Sequence, residues 1–186
     1  MSDAGALEPL PAGGFGTWLR VLQDAVRGEA ETDVPCGTCT ACCRSAQFVL
    51  VEPDEADARA HIPAALLFPA PRLPQGNMLM GYDQHGRCPM LGEHGCTIYA
   101  HRPRTCRTYD CRVFPAAGVF PDEAEKADIA ARARRWVFTY ENDADRQLHD
   151  DVVAAAQELR AAEPDLPATP LAVRAAVSVP LPPPSR

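Results

Sequence analysis

Residues 36–43 read Cys36-Gly37-Thr38-Cys39-Thr40-Ala41-Cys42-Cys43, so this 186-residue chain places half of its eight cysteines within eight positions. The run contains two successive Cys-x2-Cys steps, followed at once by a further cysteine. A Cys-x2-Cys step turns two sulfurs toward one cation, which is why zinc knuckles and iron–sulfur loops both use it. Gly37 suits the tight turn that such a step requires. The run therefore predicts a metal-binding loop.

The other four cysteines follow within the next 70 residues, and there are none outside this segment. In a secreted chain this density would indicate disulfides. The N-terminus, however, lacks the basic and apolar regions of a secretory signal, so metal ligands are favoured over disulfides or free thiols. Eight thiolates make about two sets of four. We predict that the metal ligands are Cys36, Cys39, Cys42, Cys43, Cys88, Cys96, Cys106 and Cys111.

The kind of metal stays open between zinc and iron, with an iron–sulfur cluster as one form of the latter. The side chains of Cys42 and Cys43 tend to diverge because they are consecutive, which favours two neighbouring metals or a polynuclear cluster. Two Zn²⁺ ions bound by eight thiolates would leave a net charge of about −4, which is costly in a partly dry core. Six arginines flank cysteines and are predicted to point N–H groups at the sulfurs; they are Arg44, Arg87, Arg102, Arg104, Arg107 and Arg112. Hydrogen-bonded loop positions are expected for His85, His94 and His101.

The cysteines and their neighbours also resemble a known family. The motifs that carry the resemblance are Cys36-x2-Cys39-x2-Cys42-Cys43, Cys88-Pro89-Met90-Leu91 and Cys96-Thr97-Ile98-Tyr99-x2-Arg102-Pro103-x2-Cys106-Arg107-x3-Cys111. They are similar to those of the YkgJ-type cysteine-cluster proteins, the CxxCxxCC family of zinc- or iron-chelating domains, over about residues 36–115. This resemblance implies that the cysteines chelate metal. Flagellin lysine methylases carry a similar cysteine region, which leaves open an accessory or catalytic part in a protein-modification or redox reaction.

Composition and charge exclude several classes of protein. The formal net charge is −7, whereas proteins that bind nucleic acids or anionic membranes need a surplus of positive charge. No apolar run reaches the length of a membrane-spanning helix. We therefore expect a cytoplasmic protein whose partner is a metal ion, with neither nucleic acid nor membrane as a partner. The sequence does not identify a protein partner.

The predicted fold class is α+β. It consists of a small, irregular, metal-stabilised cysteine-cluster core with short strands, packed with flanking amphipathic helices. Residues 1–15 are expected to be a flexible lead-in and residues 163–186 a Pro-rich tail without regular structure. Between them we predict a single metal-binding domain over residues 16–162, with the cysteine core at 36–115 and a helical part at 121–162.

Hydrophobic periodicity and turn residues predict the individual elements. Helices are expected at 17–27, ended by Gly28, at 53–61, at 122–140, and after a cap at Asp143 or Asp145. Strands are expected at 47–51, 78–82 and 87–91, the last two flanking a hairpin turn at 83–86. Residues 63–74 are predicted to be a loop, and Cys96, Cys106 and Cys111 to lie in irregular chain.

The sequence leaves three functional classes open. The leading one is a metalloprotein whose cysteines serve structure, electron transfer or metal handling. An enzyme is a second interpretation, although the sequence contains no recognisable pairing of nucleophile and base. A module that binds other proteins through its helices or its Pro-rich tail is the third.

Overall fold

The structure, a computed structural model, describes residues 8–30, 34 and 36–182. The α-helices in this part are α1 (Phe15–Arg27), α2 (Ala56–His61), α3 (Arg104–Thr108), α4 (Val113–Ala117), α5 (Ala127–Ala133), α6 (Asp143–Ala162) and α7 (Ala168–Ser178). The strands are β1 (Leu10–Gly14), β2 (Val49–Val51), β3 (Leu67–Pro69), β4 (Met78–Met80), β5 (Leu91–Gly92), β6 (Gly95–Cys96) and β7 (Trp136–Thr139). Short 3-10 helices lie at Cys42–Arg44, Ala64–Leu66, Tyr99–His101 and Ala124–Lys126. The α+β fold class is confirmed.

The chain divides into two compact units. Unit 1 is formed by the described residues within 1–31, 111–122 and 130–186, and unit 2 by those within 32–110 and 123–129. The predicted single domain over 16–162 stays a prediction. In the described part of the chain, none of the helices combines the length and the apolar character needed to cross a membrane.

Unit 1 is built from four helices and a two-stranded sheet. The helices that pack on one another are α1, α4, α6 and α7. Phe15 at the start of α1 is fully buried, stacks on His149 at a centroid distance of 4.4 Å and meets Phe138 edge-on at 5.0 Å. The predicted first helix is confirmed, and Gly28 ends it in the left-handed conformation, with φ 74°. This conformation favours glycine because residues with a side chain are strained in it.

A buried glutamine ties the last helix of unit 1 to the first. Gln23 is fully buried on α1, and its Nε2 donates to the carbonyl oxygens of Ala176 at 2.9 Å and Val179 at 2.8 Å. These carbonyls lie at the C-terminal end of α7, where the last turn of a helix leaves its acceptors without intrahelical partners. The amide of Gln23 therefore donates to two of these carbonyl oxygens, and its buried N–H groups have hydrogen-bond partners.

Three predictions for the segments of unit 1 were wrong. The helix expected over 122–140 ends at Ala133, and Trp136–Thr139 forms β7 because its aromatic and β-branched residues favour a strand. Strand β1 pairs with β7 in parallel, so residues 10–14 of the expected lead-in are ordered; residues 1–7 lie outside the described part. The expected C-terminal tail contains α7, whose small side chains Ala172 and Ala175 are fully buried.

The helix capped near Asp143 is confirmed, with Asn142 as the cap that accepts from the Asp145 N–H at 2.9 Å.

Unit 2 is organised around a three-stranded antiparallel sheet with the order β2-β4-β3. Six buried side chains from this sheet, from α2 and from the following loops form one cluster, here called the unit 2 core. They are Val51, Ala58, Ile62, Met80, Met90 and Ile98. Cys88 and Cys96 pack against this core, so the core also positions the cysteine segment.

The structure also changes some predictions for unit 2. The turn near Asp83 is present, since the Gly86 N–H donates to the Asp83 carbonyl at 3.0 Å. Strand β4 pairs with β2 and β3, however, and not with the chain after this turn. Leu67–Pro69, expected as a loop, forms the edge strand β3, a place where a proline is tolerated because one side of the strand makes no ladder. Cys106 lies on α3 and Cys96 on β6, where irregular chain was expected.

Candidate metal centre

Seven of the eight predicted ligands line one cavity of unit 2, here called the cysteine cavity, with a volume of about 230 Å³. Each of these cysteines is half-buried and none forms a disulfide. The seven are Cys36, Cys39, Cys42, Cys43, Cys88, Cys96 and Cys106. Three stretches of chain that are distant in sequence thus present their thiols to one space.

The first stretch is shaped by a tight turn and a 3-10 helix. Gly37 has φ 55°, and the Cys39 N–H donates to the Cys36 carbonyl at 3.0 Å. The chain then enters the 3-10 helix Cys42–Arg44. The turn is the local geometry that the Cys-x2-Cys step and Gly37 predict, because it depends only on residues close in sequence.

The second and third stretches are attached to the first by hydrogen bonds and packing. The Cys88 N–H donates to the Cys43 carbonyl at 2.8 Å, and Cys96 pairs with Leu91 across the hairpin β5-β6. Cys106 lies on α3, which is held to β2 by a hydrogen bond of 2.9 Å from the Thr105 hydroxyl to the Leu50 carbonyl. The cavity therefore depends on tertiary contacts that the spacing of the cysteines does not specify.

Burial and mutual repulsion govern the protonation of the thiols. A hydrogen bond with Cys43 lowers the pKa of Cys88 to about 7 and raises the pKa of Cys43. Burial raises the pKa of Cys106 to about 12, and it also raises the pKa of Cys96. Burial has this effect because it disfavours the charged thiolate. In the absence of a cation the cavity therefore favours neutral thiols at Cys43, Cys96 and Cys106 but not at Cys88, whereas a bound cation would favour thiolates.

Apolar side chains form much of the cavity wall. Met80, Met90 and Ile98 of the unit 2 core line it, together with the more exposed Phe48. Such walls exclude water, and the resulting low dielectric strengthens the attraction between a metal cation and its thiolate ligands.

Arg102 is the predicted arginine that lines the cysteine cavity. Its guanidinium lies 3.9 Å from the centre of the Tyr99 ring and donates to the Tyr99 carbonyl at 2.8 Å. Its positive charge lowers the pKa values of Cys96 and Cys106, against the larger effect of burial. The charge of Arg102 therefore favours thiolates at Cys96 and Cys106, whereas an N–H group of Arg102 pointing at a sulfur stays a prediction.

The other arginines behave differently. Arg104 forms ion pairs with Glu52 and with Asp54, the latter at 2.9 Å. Arg112 donates to the Ala12 carbonyl at 3.0 Å within unit 1. Arg107 has a buried Nε–H with no hydrogen-bond partner among the described residues, and an unsatisfied buried donor of this kind costs about 1–3 kcal/mol.

Cys111 is the eighth predicted ligand, and the histidines are predicted to occupy hydrogen-bonded loop positions. Cys111 belongs to unit 1, where its Sγ accepts a hydrogen bond of 3.2 Å from Trp136 Nε1. It is not one of the residues that line the cysteine cavity, and its role as a ligand stays a prediction. His94 lines the cavity, whereas His101 hydrogen-bonds to Asp57. Sequence reasoning missed Asp57 because only the fold brings it to His101.

A comparison with known protein families shows to which family the chain belongs. A family model described as "CxxCxxCC: Putative zinc- or iron-chelating domain" matches residues 35–134, more than half of the chain. The chain belongs to the CxxCxxCC family. The matched CxxCxxCC segment contains all eight cysteines, and the resemblance expected from the sequence is confirmed. Searches of curated proteins and of solved structures gave no match.

The residues present fit the zinc or iron that a CxxCxxCC domain chelates. Seven thiols face one cavity, a donor set that soft thiolate chemistry matches to zinc or to iron–sulfur clusters.

Proposed function

We propose that the cysteine cavity holds a polynuclear iron–sulfur cluster and that the protein uses it in electron or metal handling. The observation that carries this proposal is the gathering of seven thiols around one cavity, which is more than a single tetrahedral ion binds. Chelation of zinc or iron by the domain is the coarser statement on which the proposal builds.

The number of thiols favours a polynuclear centre over a single zinc ion. A tetrahedral Zn²⁺ binds four ligands, whereas seven thiols line the cysteine cavity. In a [4Fe–4S] cluster each cysteine binds its own iron, and in a [2Fe–2S] cluster each iron takes two cysteines, so a cluster gathers its thiolates around a wider space than one ion does.

Four cysteines stand out as the ligands of this cluster. Cys88 and Cys96 each raise the pKa values of both Cys43 and Cys106 through their charges. Cys42 acts in this way on Cys43, and Cys36 on Cys106, but neither acts on both. Four cysteines are the usual ligand set of a [2Fe–2S] or [4Fe–4S] cluster. Cys36, Cys39 and Cys42 line the same cavity and supply additional thiols for assembly or for a second metal.

The surrounding residues would tune such a centre. When bound, an iron–sulfur cluster supplies one-electron chemistry, at a potential set by hydrogen bonds, charge and solvent exposure. Arg102 contributes a positive charge beside the sulfurs, and the walls formed by Met80 and Ile98 limit access of water. We also propose a reducing compartment, the cytoplasm, because eight thiols without a disulfide persist most readily there.

The test is anaerobic purification of the full chain followed by measurement of iron, acid-labile sulfide and zinc per protein. We expect iron and sulfide in equal amounts, visible absorption typical of a cluster, and less than about half a zinc ion per chain. Replacement of Cys43, Cys88, Cys96 or Cys106 by Ser, one at a time, should abolish or greatly reduce the absorption. Zinc in stoichiometric amount, with neither iron nor sulfide after reconstitution with both, would overturn the proposal.

Cys111→Ser is the matched comparison for these variants. It removes the one predicted ligand that does not line the cysteine cavity, and the substitution is chemically the same. Full retention of the cluster in Cys111→Ser, with loss in the four cavity variants, would limit the ligand set to the cavity. Helicity measured by circular dichroism in every variant separates a lost ligand from a general loss of folding.

A further inference from the structure

Unit 2 carries a second cluster of metal-ligating side chains on its surface. The cluster consists of Asp57, His61 and His101, and is here called the His2Asp cluster. One ligand atom from each residue lies within 4.8 Å of the others. None of the three lines the cysteine cavity, so the cluster is a separate feature.

The three side chains come from two elements. Asp57 and His61 lie one turn apart on the same face of α2, as residues spaced by four do on a helix. His101 is contributed by the end of the 3-10 helix Tyr99–His101. The imidazole rings of His61 and His101 stack with a centroid distance of 3.5 Å and an angle of 4° between their planes.

Both imidazoles turn the same nitrogen toward Asp57. His101 Nδ1 lies 2.9 Å from Asp57 Oδ2, and His61 Nδ1 lies 3.6 Å from Asp57 Oδ1 and 2.9 Å from the Asp57 carbonyl oxygen. Two ligand atoms about 2.1 Å from one ion, at angles of 90–110°, lie about 3.0–3.4 Å apart. The His101 contact to the carboxylate, at 2.9 Å, lies just below this range, and the His61 contact, at 3.6 Å, lies just above it.

The backbone beneath the cluster is held by the unit 2 core. Ala58 follows Asp57, Ile62 follows His61, and both are buried together with Ile98, three residues before His101. Each ligand is therefore close in sequence to a buried anchor, so the two elements that carry the ligands are already positioned. Such positioning lowers the entropic cost of binding an ion.

The exposed side chains leave space for the adjustment that binding requires. Each imidazole side chain is 40% exposed and the Asp57 side chain is 68% exposed. A metal ion must lie near the plane of each ring that binds it, so the stacked rings have to rotate about their Cβ–Cγ bonds. Solvent on the outer side provides room for this rotation and water for the remaining coordination positions.

We propose that Asp57, His61 and His101 form a surface site for one divalent transition-metal ion, of the Zn²⁺ or Ni²⁺ type, bound by the two Nδ1 atoms and one carboxylate oxygen. Two imidazoles and a carboxylate suit such ions better than Ca²⁺ or Mg²⁺, which prefer oxygen ligands only. The site exchanges metal with solvent because water occupies its open positions. It is independent of the centre proposed for the cysteine cavity.

The experiment is a Zn²⁺ titration of the full-length protein with its cysteine centre loaded as purified, followed by NMR of the imidazole nitrogens. Zinc alone is the probe, and the ring signals report on histidines and not on thiols. We expect the Nδ1 signals of His61 and His101 to shift together and to saturate at one added equivalent. The variants His101→Ala and Asp57→Asn should each weaken this binding by at least about 10-fold, because each removes a ligand.

His85→Ala is the matched control, since His85 is an exposed histidine of unit 2 that lies next to Gln84, outside the His2Asp cluster. This variant should bind zinc as the wild type does. Equal zinc affinity in wild type, His101→Ala and Asp57→Asn, or no shift of either ring signal, would overturn the proposal and leave only a hydrogen-bonded cluster. The absorption of the cysteine centre is recorded in the same samples, so failure of that centre and failure of this site are distinguished.

Discussion

Unit 1 and unit 2 are stabilised by different means. Of the 29 buried hydrophobic side chains among the described residues, 21 belong to unit 1 and eight to unit 2. Unit 1 contains the longest helix, α6, whereas the helices of unit 2 have a single turn or two. Unit 2 instead concentrates seven thiols around one cavity.

This difference has an energetic consequence. Apolar burial is the main favourable term in folding, at roughly 25 cal/mol per Å² of apolar surface. The few buried side chains of unit 2 leave it short of this stabilisation, and metal coordination supplies folding free energy in small domains of this kind. Unit 1 is therefore expected to depend on its packing and unit 2 on its metal.

Removal of the metal should have the largest effect, and it should act on unit 2. We expect a chelator under reducing conditions to unfold the cysteine segment, because the thiols lose the cation that binds them together. The helices of unit 1 should keep most of their circular dichroism at 222 nm. Hydrogen exchange resolved along the chain measures which segments unfold. An unchanged thermal midpoint after metal removal would contradict the expectation that unit 2 depends on its metal for stability.

In unit 1 the corresponding test is to weaken the hydrophobic packing, by the substitution Leu171→Ala on α7. Leu171 is fully buried, and its truncation should lower the free energy of unfolding by about 2–5 kcal/mol through lost burial and a cavity. The absorption of the metal centre in unit 2 should stay unchanged at temperatures below the transition. Val26→Ala, at a side chain that is 52% exposed on α1, is the control and should change stability by less than about 0.5 kcal/mol. Equal effects of the two substitutions in urea unfolding would refute the packing argument.

A smaller effect is expected from the charge beside the cavity. Arg102→Gln should weaken metal retention by about 10- to 100-fold, the range typical for loss of a group that supports metal ligands. Arg102→Lys, which keeps the charge, should recover part of this loss. Arg87→Gln is the control, because Arg87 precedes Cys88 but does not line the cysteine cavity. Competition with a chromophoric chelator measures the affinities, and equal values for Arg102→Gln and Arg87→Gln would rule out the supporting role.

The smallest effect concerns an exposed ion pair in unit 1. Hydrogen bonds from Arg174, at 2.6 and 2.8 Å, hold the pKa of Glu163 below its usual value. A carboxyl whose pKa is lowered by folding contributes stability above its unfolded pKa and loses it as the pH falls through the folded pKa. Glu163→Gln should therefore reduce the acid dependence of the thermal midpoint slightly below about pH 4.5, with Glu158→Gln as control. Indistinguishable pH profiles for the two variants would mean that the pair contributes nothing measurable.

The sequence predicted the chemistry of unit 2 better than its architecture. The Cys-x2-Cys steps and Gly37 determine a local turn, so the first ligand loop was foreseen from neighbouring residues alone. The contact between Cys43 and Cys88 depends on chain segments far apart in sequence. The same reason explains why Arg104, also next to a cysteine motif, pairs with Glu52.

Unit 1 shows a different limit of sequence reasoning. Large apolar side chains at helical spacing predicted α1 and α6. The helix α7 was missed because it buries mostly alanines, whose hydrophobic pattern is weak beside the surrounding prolines. Pro167 stands before the first turn of α7, where a missing N–H costs little. Prolines that suggest a tail in the sequence therefore start a buried helix in the fold.

The candidate ligands and the local turns followed from residue order, because a thiol keeps its affinity for soft metals in any fold and a turn involves only neighbours in the chain. Only the tertiary structure shows which distant segments of the chain pair with each other. The parallel pair β1-β7 joins residues more than 120 positions apart, and His101 meets Asp57 across 44 positions. Such contacts form only where the hydrophobic core holds both segments, and no residue spacing in the sequence encodes that arrangement.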